Sequence, residues 1–187
     1  MLELTKREIA EKLNLPIRTI QLWTDQGIVF PDVRAASGKG IARLYSERNL
    51  LEFAMVKILA KDYNIKLTQL QSMFLLLRQD DLGETPSGFK DFYTDPSYGN
   101  SKEMLYVMSI NASSMGGGNQ LIVMTKEKGK DFAGLENLVQ PFSETEAVIG
   151  FSILFIGRIK KQAMEMAGVN LDNWANETPE KRSIQSS

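Results

Sequence analysis

Cysteine and histidine are both absent from this 187-residue chain. Without cysteine there is no disulfide framework, no thiolate nucleophile and no soft metal site; without histidine the commonest acid/base catalyst and metal ligand is missing. Chemistry would have to rest on carboxylates, lysine, tyrosine or serine, and no such constellation stands out, so the expectation is a non-enzyme with no catalytic residue, no cofactor and no metal site. Long apolar runs are missing as well. The longest, "AVIGFSILFIG", is closed by Arg158, Lys160 and Lys161, well short of the roughly 18 residues a membrane span needs. "MLELTKREIAEKL" mixes charge with helical spacing and lacks the apolar core of a secretory signal. A cytoplasmic protein with no membrane partner is expected.

The formal net charge of −1 conceals an asymmetry. Residues 1–79 carry 12 Lys+Arg against 8 Asp+Glu, whereas residues 80–187 carry 10 against 15. A positive first part suits a polyanionic partner, and the acidic remainder points to another task. Residues 80–102, "DDLGETPSGFKDFYTDPSYGNSK", hold two prolines and three glycines without helical or strand periodicity, which reads as a connection. Its Phe89, Phe92, Tyr93 and Tyr98 suit packing on a domain surface. The expected division is therefore a domain over 1–79, a connecting segment over 80–102, a second domain over 103–168 and a mobile polar tail over 169–187.

Within the first part, "LTKREIAEKL" announces a helix that begins at Lys6. Thr5 is an N-cap, Glu8 occupies the reciprocal position of a capping box, and Leu4 can staple Ile9, with Ile9, Ala10 and Leu13 facing inward. After Asn14-Leu15, Pro16 suits a first helical position, and "PIRTIQLWTDQ" over 16–26 runs to Gly27. Two short helices across a tight turn match the helix-turn-helix, whose second helix enters a DNA major groove. Ile17, Ile20 and Trp23 would pack on the first helix. Arg18, Thr19, Gln21 and Thr24 would face outward, and the first three are types that read bases: arginine bidentate to guanine, glutamine bidentate to adenine.

"IVFPD", the turn-rich "VRAASGKG" and "IARLYS" together read as a β-hairpin wing over 28–45. Lys39 is followed by Gly40 and an extended stretch, so this is not a nucleotide-binding P-loop; Arg34, Lys39 and Arg43 would instead hold DNA phosphates together with Lys6. Ser46 caps a helix with Leu50, Phe53, Ala54 and Ile58 inward, and "LTQLQSMFLLLRQ" gives another with Leu67, Leu70, Phe74 and Leu77 inward.

The order and spacing of these elements over about residues 3–78 resemble the winged helix-turn-helix of the MerR family of bacterial transcription regulators. "IAEKL" in the first helix, Gly27-Ile28 after the second and Arg43-Leu44-Tyr45-Ser46 at the end of the wing carry the likeness. Gln21-Leu22-Trp23 stands where members usually have Arg-Tyr-Tyr or Arg-Phe-Tyr, Pro16 where Ser or Thr commonly caps, and Ala42 where an aromatic is frequent. Metal sensing is not implied, because the cysteines it uses are absent. What the resemblance implies is a dimeric, sequence-specific regulator on double-stranded DNA, with Tyr45 among the DNA-binding residues and with RNA polymerase and a small-molecule effector as partners.

Residues 103–111 and 120–126 are strand formers around "ASSMGGGN" and read as an antiparallel hairpin. The glycine triplet reads as a loop, since no helix start follows it, and Met104, Met108, Met115 and Met124 suit core or an adaptable pocket. Residues 146–151 suit a third strand and 152–167 a helix, with Leu154 and Phe155 widening its apolar surface toward a second subunit. The fold class expected is α+β: a winged helix-turn-helix followed by a small α+β domain for dimerisation or ligand sensing. Two alternatives stay open, a phage or plasmid winged-helix factor of excisionase or packaging type, and a small-molecule-binding protein or enzyme with its pocket in residues 103–168.

Overall fold

The structure is a computed structural model that describes residues 3–34, 42–81, 92–93, 95–100, 102–111, 119–125 and 148–170. It divides into two compact units, Met1–Asp95 with Gln162–Ser187, and Pro96–Lys161.

The first unit opens with α1, Lys6–Lys12. The Thr5 hydroxyl accepts from the Glu8 N–H at 3.3 Å and the Glu8 carboxylate accepts from the Thr5 N–H at 2.7 Å, so the expected capping box is present and satisfies donors that a helix start leaves open. At its other end Asn14 takes a left-handed φ of 47°. The Asn14 N–H donates to the Glu11 carbonyl and the Leu15 N–H to the Ala10 carbonyl, the paired bonds of a Schellman stop.

Helix α2, Ile17–Asp25, follows at once. Pro16 precedes the helix rather than opening it: with φ −59° and ψ 138° it is the N-cap, and it offers no side-chain cap. Ile20 and Trp23 are buried as expected, but Ile17 is 43% exposed and Thr24 is buried. The 3.6-residue period puts positions 20, 23 and 24 on one face, whereas Ile17, though in phase with them, is the first residue of α2 and lies at its open end. The α2 stop repeats that of α1, with the Gly27 N–H on Thr24 and the Ile28 N–H on Trp23. Gly27 sits at φ 67°, a conformation costing an L side chain about 1–2 kcal/mol.

The "IVFPD" stretch is not a strand. Ile28 and Val29 bend back onto the end of α2 and are buried, and the rest is fixed to the start of α3, Glu47–Lys61. Asn49 donates to the Phe30 carbonyl at 2.8 Å and accepts from the Asp32 N–H at 3.1 Å, while Asp32 accepts from the Ser46 hydroxyl at 2.6 Å. Ser46 caps α3 as expected, with Asn49 as the reciprocal partner. Two isolated antiparallel bridges close the returning chain, Arg34 with Leu44 and Leu4 with Tyr45; residues 35–41, and so the wing tip with Lys39, lie outside the described residues.

Helix α3 is buried nearly all round, including Leu50, Phe53, Ala54 and Ile58. On α4, Leu67–Asp81, Leu70, Met73, Phe74 and Leu77 are buried and Leu67 only partly so. Phe53 stacks on Trp23 at 6.4 Å and meets Tyr45 edge-on at 5.6 Å, tying α2, the returning chain and α3 into one core. Glu52 is a buried hub: its carboxylate accepts from Asn49, from Arg78 and from the hydroxyl of Tyr93 at 3.0 Å, and pairs with Arg48 at 3.7 Å. Burial first and Glu52 second hold the Tyr93 phenol well above its usual ionisation range.

The second unit is a three-stranded antiparallel sheet of order β2-β1-β3, with β1 Lys102–Asn111, β2 Asn119–Thr125 and β3 Val148–Phe155. The expected hairpin is present. The third strand, however, extends to Phe155, and α5 covers Ile156–Ala167, with its residues from Gln162 onward assigned to the first unit. Residues 152–155 are strand because they pair with β1, Leu105 opposite both Ile122 and Phe155; Leu154 and Phe155 therefore belong to strand alternation and do not widen a helix face. Ile156, Ile159, Ala163 and Ala167 supply the buried side of α5. The buried Glu103 carboxylate accepts from the N–H groups of Gly157 at 2.5 Å and Arg158 at 3.3 Å, capping the helix from a strand. A Cβ at Gly157 would collide with that carboxylate and with the Gly99 backbone. Residues 112–118, with the glycine triplet and Met115, and residues 171–187 of the expected tail lie outside the described residues.

Candidate nucleic-acid interface

The face of α2 opposite Ile20, Trp23 and Thr24 carries Arg18, Gln21, Leu22 and Asp25. Arg18 is exposed, and among the described residues its guanidinium makes no hydrogen bond or ion pair. Thr19 is half-buried at the edge of this face. Gln21 lies in a polar chain that crosses three segments. Lys6 Nζ on α1 donates to Gln21 Oε1 at 2.9 Å, Gln21 Nε2 donates to Asp25 Oδ2 at 2.8 Å, and Arg43 Nη1 donates to Asp25 Oδ1 at 2.6 Å.

This chain has electrostatic consequences. Hydrogen bonds from Gln21 and then Arg43 hold the Asp25 carboxyl below its usual range, and the Arg43 guanidinium is held above its own, first by Asp25. Both groups are therefore fully charged at neutral pH. Arg43 is also fixed in space, so the base of the expected wing lies beside the outward face of α2. Arg34 is exposed, with its Nε on the Ala42 carbonyl at 3.3 Å.

The expected site residues thus separate. Lys6, Gln21 and Arg43 are brought together through Asp25; Arg18 stands on the same helix face, with Thr19 at its edge; Arg34 marks the start of the expected wing; Lys39 is not among the described residues. Tyr45 does not belong. It is fully buried, its hydroxyl 3.1 Å from that of Thr24 and its ring against Phe53, so its side chain has no surface to offer a ligand. Thr24 is lost to the site for the same reason, its hydroxyl also donating to the Ile20 carbonyl.

Two residues of this face were not singled out from the sequence. Asp25 lies four residues after Gln21, a spacing at which helical side chains meet, and that spacing was the available signal. Leu22 is 46% exposed, which its place opposite the buried face of α2 would have indicated.

Among the described residues no cluster of acidic side chains could hold a metal ion, and no helix is long and apolar enough to cross a membrane. No curated protein matches the chain. The family model described as MerR HTH family regulatory protein matches residues 4–75, a span from the Leu4–Tyr45 bridge through α1, α2 and α3 into α4. Residues 4–75 are a MerR-like helix-turn-helix segment.

Proposed function

We propose that the chain is a sequence-specific DNA-binding regulator of transcription, without catalytic activity of its own, that acts in the cytoplasm as a dimer. The MerR-like segment supports DNA binding and transcription regulation as the class of function. The observation that supports the finer reading is the 2.6 Å bond from Arg43 to Asp25, because it holds a basic side chain of the returning chain beside the outward face of α2. In this reading α2 enters the major groove. Arg18, Thr19 and Gln21 address base edges, while Lys6, Arg34, Lys39 and Arg43 meet phosphates on either side.

A single helix of this length reads only a few base pairs. Two copies would place their recognition helices about 34 Å apart, one turn of DNA, and residues 103–168 are proposed to serve dimerisation or effector sensing, with residues 80–102 as the connection between the two domains. RNA polymerase and a small-molecule effector are the partners this role would bring. The test is selection of bound fragments from random duplex DNA, followed by affinity measured against salt. Recovery of a two-fold symmetric site, with half-sites about one helical turn apart and a log–log salt slope of several, is the expected result. Binding without sequence enrichment at any salt concentration would overturn it.

A further inference from the structure

Gln21 presents an amide whose two ends are each held by a charged neighbour. An amide oxygen has two lone pairs and an amide nitrogen two hydrogens. Here Oε1 accepts from the Lys6 ammonium at 2.9 Å and Nε2 donates to the Asp25 carboxylate at 2.8 Å. One lone pair and one hydrogen remain. One acceptor and one donor are what bidentate recognition of adenine needs, the oxygen accepting from N6 and the nitrogen donating to N7.

The charges also decide which end is which. Rotating the amide by half a turn would set its NH2 against the ammonium and its carbonyl against the carboxylate, two repulsive contacts in place of two attractive ones. An ordinary surface glutamine samples both orientations and loses that freedom on binding. Gln21 is held before any ligand arrives, and Asp25 is itself anchored on its other oxygen by Arg43 at 2.6 Å.

We propose that Asp25, with Lys6 as the opposing jaw, is a positioning residue that fixes the Gln21 amide so that its free edge reads adenine; this rests on the DNA-binding reading above. Asp25 is 49% exposed on the face that would meet the duplex. Its charge repels phosphate and lowers affinity for every duplex, so it exchanges affinity for base preference. That opposition gives the proposal its signature, because a residue that only maintained the fold would move both quantities the same way.

The experiment uses the full chain and duplexes recovered by selection from random DNA. In the unaltered protein one position should prefer adenine about tenfold, and 7-deazaadenine there, which lacks the N7 acceptor, should bind about tenfold more weakly. Gln21→Ala should abolish that preference. Asp25→Ala should lose most of it while binding random duplex more tightly, with an unchanged melting temperature. In a Gln21→Ala background, Asp25→Ala should still tighten random binding yet leave base preference unmoved. The proposal is overturned if Asp25→Ala keeps the full adenine preference, or weakens selected and random duplexes in parallel. A selected site with no adenine dependent on Gln21 overturns the clamp and leaves the DNA-binding reading standing; absence of any duplex binding removes that reading first.

Discussion

Two acids in the first unit are partnered by the same kinds of group and differ in where they lie. Glu52 is 1% exposed and gathers Arg48, Arg78, Asn49 and Tyr93; Asp25 is 49% exposed and gathers Arg43 and Gln21. The partners of Glu52 come from α3, from α4 and from residue 93, and Arg78 also donates to the Ile28 carbonyl at 2.6 Å and lies over the Phe30 ring. That network therefore supports the segment directly after α2. The lesson is about medium: in a dry setting a lost partner leaves charges stranded, whereas at the surface water replaces it and little stability is at stake. Glu52 is thus tied to stability, whereas little of the fold depends on Asp25.

The largest expected effect tests the stability side. Glu52→Ala strands Arg78 and removes the acceptor of Tyr93, and should destabilise the chain by about 3 kcal/mol. Thermal melting measures it, and Asp25→Ala should leave the midpoint where it was. Equal shifts in the two variants would erase the contrast.

The next effect is read on DNA. Arg18→Ala should cost about 1–3 kcal/mol on a selected site and relax preference at one base pair, while Lys39→Ala should weaken all duplexes alike and flatten the log–log salt slope by about one. Neither should change the melting midpoint. If the two variants act alike on selected and random DNA, the separation of base reader from phosphate contact is wrong.

A third acid extends the comparison to the sheet unit at smaller amplitude. Glu103 is fully buried and its ion-pair partner, Arg158, is largely exposed. Burial raises its pKa and outweighs the opposing N–H groups of Met104, Gly157 and Arg158. A carboxyl raised in the folded state contributes stability that is complete below its ordinary pKa and is lost as pH climbs through the folded value. Glu103→Gln should accordingly gain on the unaltered protein as pH rises above the ordinary glutamate value of about 4. Melting curves across that range check the sign; a variant that loses ground would show that the charge at the start of α5 matters more than its burial.

Much of the first unit was legible in the sequence because its signals are local. Thr5 with Glu8, Ser46 as a cap and Gly27 as a stop each act within about one helical turn, and the apolar spacing of α3 and α4 named most of the side that is buried. Arg18 and Gln21 were found from residue type and helical phase. Tyr45 was misplaced because its tetrapeptide "RLYS" gives no sign that Thr24, 21 positions earlier, lies within hydrogen-bond reach. For Asp25 the spacing to Gln21 was a local signal, but its second partner, Arg43, lies 18 positions away.

The sequence by itself determined where α1 and α3 begin, where α1 and α2 stop, and which face of α1 turns inward, since caps, stops and the 3.6-residue period are settled by neighbours along the chain. Only the tertiary structure decided that residues 152–155 join a sheet rather than a helix, that "IVFPD" is bound to α3 instead of forming a strand, and that a surface aspartate links α2 to Arg43. Those outcomes depend on hydrogen bonds between residues far apart in sequence, whose formation requires the rest of the fold to bring both partners to within about 3 Å.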